Sequence, residues 1–176
     1  MQTWDNTERY GTVSRVLHWG MGLVILWQLL TVLARVFFDD ESALYGFFWG
    51  THRETGLLIF LLVLLRGVWA LANLSRRPPS VSLPAKLGHI TLYLLMIVIP
   101  FLALLRQYGS GRAFEPFGIP LFPGFEGDSI DWMMAPATLF HSWAGYLLFS
   151  LIIGHAAMAI WRRRDPEKQD VLSRMW

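Results

Sequence analysis

Three stretches of this sequence carry no Asp, Glu, Lys or Arg: Val16 to Ala34 and Leu87 to Leu105, 19 residues each, and Trp132 to Trp161, 30 residues. A helix crossing a hydrocarbon core of about 30 Å needs roughly 20 apolar residues, so each stretch is long enough for one span. A fourth, from about 47 to 74, is interrupted by Arg66, although Thr55 to Leu65 and Gly67 to Leu74 are free of charge. It reads as a span if Arg66 finds a partner inside the bundle, because an ionisable side chain in a membrane segment is costly. The plainer reading is that Arg66 snorkels to the headgroups. Composition agrees with a membrane protein: 54% of the 176 residues are apolar and 16% charged, against roughly a quarter charged in soluble domains. The expected architecture is all-α, an integral membrane bundle of four transmembrane helices in one domain, 1–176, with spans at about 15–37, 47–74, 86–106 and 136–161.

The basic residues set an orientation. One side of the membrane would carry Arg9, Arg15, Arg76, Arg77, Lys86, Arg162, Arg163, Arg164, Lys168 and Arg174; the other, span ends included, has Arg35, Arg53, Arg106 and Arg112. By the positive-inside rule both termini face the cytoplasm. The N-terminus, polar at Asp5 to Glu8 and without a cleavage site of small residues, predicts that span 1 is retained. A net charge of +2 spread over loops, with no basic face, gives no footprint for nucleic acid. Pro78, Pro79 and Pro84 enforce a short connection between spans 2 and 3. The longer loop from about 107 to 135, with Pro116, Pro120, Pro123 and Gly124, predicts a segment folded over the outer face. Most of the nine tryptophans fall at span ends, as interfacial anchors do.

The chain has no cysteine, which excludes disulfides, Cys-ligated zinc, iron–sulfur clusters and covalently attached c-type haem. A metal would rest on histidine or oxygen. His18 and His89 fall just inside the cytoplasmic ends of spans 1 and 3. His52 and His141 fall near the outer ends of spans 2 and 4, and His155 near the cytoplasmic end of span 4. His141 and His155 are 14 residues apart, which separates them by roughly 21 Å along a helix and returns to within about 40° of one face. Two imidazoles that share a haem iron must come from different helices at one level. His141 can therefore reach His52 but not His18, while His155 can reach His18 or His89.

One turn beyond each histidine, where a porphyrin lying against the helix needs room, stand Gly22, Gly56, Gly145 and Ala159; after His89 it is the bulky Tyr93. Glycine costs a helix about 1 kcal/mol relative to alanine, so three at one offset ask for a close approach by another body. Small residues also serve plain helix packing in membranes, and a lone intramembrane histidine can simply hydrogen-bond across helices. The offset favours His18 over His89.

These residues resemble those of bacterial cytochrome b561, a di-haem family of four membrane helices. The resemblance rests on Arg15-Val16-Leu17-His18-Trp19, His52 with Gly56, Ala85-Lys86-Leu87-Gly88-His89 with Tyr93 and Pro100, His141 with Gly145, and Gly154-His155-Ala156-Ala157, and it covers nearly the whole chain. It implies two b-type haems, His18 with His155 on the cytoplasmic side and His52 with His141 on the outer side, in a bacterial inner membrane. It further implies transmembrane electron transfer with ubiquinone as acceptor. Members of the family include a superoxide oxidase, and related cytochrome b subunits relay electrons between quinone and a docked redox protein. Superoxide and a redox protein are thus alternative donors. The outer side carries Asp39, Asp40, Glu41, Glu54, Glu115, Glu126, Asp128 and Asp131 against its four arginines. Anion steering then requires those arginines to gather over the outer haem. Arg66, 14 residues beyond His52, is expected to pair an inner-haem propionate, and His89 with Tyr93 to contact the quinone. Trp161-Arg162-Arg163-Arg164 departs from the histidine-richer segment of the superoxide-oxidising relative. A haem-free transporter or structural bundle would leave the 14-residue spacing and the repeated glycine offset unexplained.

Overall fold

The structure, a computed structural model, describes residues 2–176. Five α-helices follow one another: α1 (Thr12–Phe37), α2 (Ala43–Trp49), α3 (His52–Ala72), α4 (Leu83–Gly109) and α5 (Asp131–Arg164). Four helical segments, Thr12–Phe37, Ala43–Ala72, Leu83–Gly109 and Asp131–Arg164, are long and apolar enough to cross a membrane. The helices outrun the charge-free windows at several ends. Charge marks where hydrocarbon stops, whereas backbone hydrogen bonding continues into the headgroup region. The second segment is broken where the sequence pattern suggested continuity, because Gly50 and Thr51 separate α2 from α3. The Thr51 hydroxyl donates to the Phe48 carbonyl and accepts the Trp27 indole N–H (2.9 Å each), so the break is held against α1.

Helices α1 and α3 pack together, α3 packs on α4, and α4 on α5. The shared core is small: Met21 and Ile25 from α1, Ile59 and Val63 from α3, Leu92, Met96 and Ile99 from α4, and Leu148 from α5. Large apolar side chains such as Leu23, Val68, Leu71 and Ile153 point outward. On a water-soluble protein that surface would aggregate; around a membrane bundle it is the face that lipid covers.

Both termini lie at one end, tied to the α3–α4 connection. Tyr10 N–H donates to the Arg174 carbonyl (3.1 Å), Arg174 Nη1 to the Pro79 carbonyl (3.1 Å) and Trp19 Nε1 to the Met175 carbonyl (3.0 Å). Asp5 is buried and accepts from Gly11 N–H (2.8 Å) and the Ser14 hydroxyl (2.6 Å), while its own N–H donates to Asn73 Oδ1 (3.2 Å). At the opposite end the α4–α5 connection folds back on itself through a Phe114–Phe122 bridge and a short 3₁₀ turn, Pro116–Gly118. The Gln107 amide holds it by donating to the carbonyls of Arg112 and Ala113.

Candidate functional site

Four of the five histidines form two facing pairs. His18 of α1 and His155 of α5 have ring centroids 6.1 Å apart at 69°, and His52 of α3 and His141 of α5 have centroids 6.2 Å apart at 70°. The agreement between the two ends is not imposed by direct helix packing, since α5 rests chiefly on α4, and its extensive contacts do not include α1 or α3. The seam between α5 and the α1–α3 pair is therefore spanned by imidazoles at two levels, about 21 Å apart along α5.

Three observations test whether this seam suits a flat prosthetic group. Two metal–nitrogen bonds of about 2 Å on opposite sides of one ion place imidazole centres about 6 Å apart, which is the separation of both pairs. Nδ1 of His18 and Nδ1 of His141 are buried without a hydrogen-bond partner, so no hydrogen bond to that nitrogen fixes either ring's direction. A Cβ built on Gly22 or Gly145 meets nothing within 4 Å, and residues four apart share a helix face, so each opening lies on the side of its histidine. Among the described residues no three His, Asp or Glu gather as a metal cage. A macrocycle needs no such cage, because the protein supplies only axial ligands. The residues fit a haem at each level.

Not every expected residue behaves alike. Gly56 is less open than its counterparts, with Gln28 Nε2 at 3.7 Å from a built Cβ. His89 lies 5.2 Å from His155, closer than His18 does, but it is exposed and its Nδ1–H donates to the Ala85 carbonyl at 2.6 Å. Arg66 finds its partner in an aromatic ring: its guanidinium lies 5.2 Å from the centroid of Tyr93. Tyr93 is one turn from His89 on α4, which brings the Arg66–Tyr93 pair near the level of His89, His155 and His18.

At the other end, Trp49 stacks on His52 (4.5 Å, 28°) and Arg35 lies over Trp49 (4.6 Å). Arg53 lies over Phe114 (5.8 Å), with Nη1 at 3.5 Å from Gln107 Oε1. Two side chains near His52 escaped the charge-based reading. The Thr31 hydroxyl is 2.8 Å from His52 Nδ1, and Gln28 Nε2 lies against the same ring and donates to the His52 carbonyl (3.2 Å). The available signal was two polar residues three apart in the middle of an apolar span, where polar groups are seldom idle.

A four-helix membrane bundle with facing imidazoles at two levels has the architecture of a haem-carrying electron-transfer protein. The chain belongs to the prokaryotic cytochrome b561 family, whose sequence model matches residues 9–176. It is similar to cytochrome b561 homolog 2 of Escherichia coli strain K12, 25% identical over 179 residues that cover 97% of this chain and 93% of the relative. It is also similar to cytochrome b561 homolog 1 of the same strain, 25% identical over 175 residues, covering 95% and 96%. Membership makes this a membrane protein that binds b-type haem and transfers electrons.

Proposed function

We propose that this chain holds two b haems, one between His18 and His155 and one between His52 and His141, and relays single electrons between an outer-face donor and ubiquinone. The observation that carries this reading is the near-equal separation of two imidazole pairs, 6.1 and 6.2 Å, bridging helices that do not otherwise pack closely. Haem supplies the reversible one-electron chemistry, and the protein orients it and tunes it through ligands, hydrogen bonds and burial. The setting is a bacterial inner membrane with both termini in the cytoplasm, supported by the concentration of Lys and Arg at the end where the termini meet.

Each residue has a distinct part. The four paired histidines bind; Gly22 and Gly145 leave room beside His18 and His141. Arg66 supplies positive charge at the inner level for a propionate, held in direction by the Tyr93 ring. His89, exposed beside His155, contacts quinone together with Tyr93. Superoxide is the donor supported at the outer face by the approach of Arg35 and Arg53 to the His52 region, which offsets the acidic surplus of that side where it matters. A docked redox protein is the second reading, supported by the exposed apolar tip Phe117, Ile119 and Leu121 on the outer loop.

The test begins with a haem count and a reduced-minus-oxidised spectrum of the purified chain. Two b haems per chain are expected. A loaded chain that takes electrons from enzymatically generated superoxide and passes them to a soluble ubiquinone identifies the first donor. Reduction by a copurifying redox protein, with none by superoxide, selects the second. A haem-free chain from a haem-replete host refutes the relay.

A further inference from the structure

The outer pair carries a hydrogen-bond chain whose direction can be deduced by counting protons. Thr31 has no exposed surface, and its single hydroxyl proton has two candidate acceptors: the Gln28 carbonyl at 2.7 Å and His52 Nδ1 at 2.8 Å. If the proton goes to Nδ1, the ring proton must sit on Nε2, and that nitrogen has no lone pair for a metal. If it goes to the carbonyl, Oγ1 is free to accept from Nδ1–H, and the Nε2 lone pair is bare. Were His52 to hold a metal through Nε2, only the second arrangement would leave that nitrogen its lone pair. Trp49 stacks on the imidazole and restrains its plane, while the Gln28 amide beside the ring has an acceptor of its own, donating to the His52 carbonyl at 3.2 Å. A threonine hydroxyl bonded to the carbonyl three residues back is common in helices and needs no function. What is unusual is a fully buried one that also meets an imidazole on another helix.

We infer that Thr31 is a positioning residue for the outer haem: its hydroxyl accepts from His52 Nδ1–H, fixing the tautomer and strengthening His52 as an iron ligand. The inference rests on the proposed ligation of that haem by His52. Partners of this kind raise the basicity of a metal-bound imidazole, and their loss typically costs tenfold or more in affinity or activity. A more basic ligand favours the oxidised metal, so deleting the acceptor shifts the outer haem toward its reduced form.

The experiment is a redox titration of the full-length, haem-loaded protein in detergent, with both haems resolved by their optical α-bands, for Thr31→Val, Thr31→Ser and His52→Ala. Thr31→Val keeps the shape and removes the hydroxyl; it is expected to move the outer haem's reduction equilibrium about tenfold, an upward shift of about 59 mV for one electron. The inner haem should not move, and Thr31→Ser should restore the wild-type value. An unchanged outer potential in Thr31→Val overturns the inference, as does a Thr31→Ser that behaves like Thr31→Val, which would assign the effect to packing. Should Thr31→Val lose the outer haem, a loaded Thr31→Ser supports the hydroxyl's role and an empty one refutes it. His52→Ala separates the two levels of argument: if it keeps both haems, the ligand assignment fails, whatever the threonine does.

Discussion

The inner level tests the pairing most sharply, because His155 faces two imidazoles. His18 stands 6.1 Å from it and His89 5.2 Å. An iron between two opposed imidazoles needs centroids about 6 Å apart, so the His18 pair is already at that separation and the His89 pair is short by about 1 Å. His89 is also exposed on α4, the helix against which α5 packs directly, whereas α1 faces α5 across the open seam. Replacing His18 with alanine is therefore expected to halve the haem content, from two to one per chain, and to halve the α-band amplitude. Replacing His89 should leave both haems and alter the rate of reoxidation by ubiquinone. The assay is a pyridine haemochrome count on purified, full-length variants, paired with low-temperature difference spectra to identify which haem is missing. If His89→Ala halves the count while His18→Ala does not, the pairing is wrong; if either removes both haems, the two levels are not independent.

Four further outcomes follow from the packing. Gly145→Leu should fill the opening beside His141 and deplete the outer haem, while the same change at Gly46, equally open but on α2, should leave both haems; equal occupancy in the two variants would reduce the Gly145 opening to a lipid-facing gap. Arg66→Gln removes a positive charge near the inner haem and should lower that haem's midpoint potential by roughly 50 mV at an effective dielectric near 20, as read by redox titration, with the outer haem unmoved. Asp5→Ala deletes a buried acceptor of two hydrogen bonds and should cost about 3 kcal/mol, measurable as a lower thermal midpoint with an unchanged haem count. Chain made without haem should unfold at lower temperature than loaded chain, since a ligand present at about a thousand times its Kd contributes about 4 kcal/mol, and equal midpoints would mean that the seam gains nothing from being filled.

The number of spans was legible because charge is nearly forbidden in hydrocarbon, so a charge count marks the apolar depth of each helix. The same count is blind to uncharged breaks. Gly50 and Thr51 end α2 without introducing a charge, and the polar pair Gln28 and Thr31 sits unnoticed inside a charge-free window although it surrounds His52. Depth was legible from residue number alone, which brings His141 to His52 and His155 to the level of both His18 and His89. Azimuth was not, because it depends on how each helix rotates against its neighbours. That is why His89 stands nearer to His155 than His18 does. It is also why Arg66, expected to need an anion, meets the face of Tyr93, an interaction between side chains on two helices that no spacing within one helix encodes.

The architecture ties the cofactor's place to the weakness of the core. Leu148 is the buried α5 residue in the cluster shared by all four long helices, with Ala144, Phe149, Leu151 and Ile152 packed against it, and the two α5 histidines face His18 of α1 and His52 of α3. Packing on α4 holds α5 in place, and groups bound at two levels about 21 Å apart would complete its packing toward α1 and α3. Proline and glycine fit this division of labour. Pro100 sits in α4, where neighbouring helices cover the carbonyl it leaves unpaired, whereas Gly145 and Gly154 sit in α5, where removing a side chain opens space and sacrifices no core contact. In this bundle α5 is joined directly to α4, and the seam it leaves toward α1 and α3 is the space that a bound haem would share. A change that tightens α5 against α1 directly should therefore raise the stability of the empty chain and lower its capacity for haem, because the two compete for one seam.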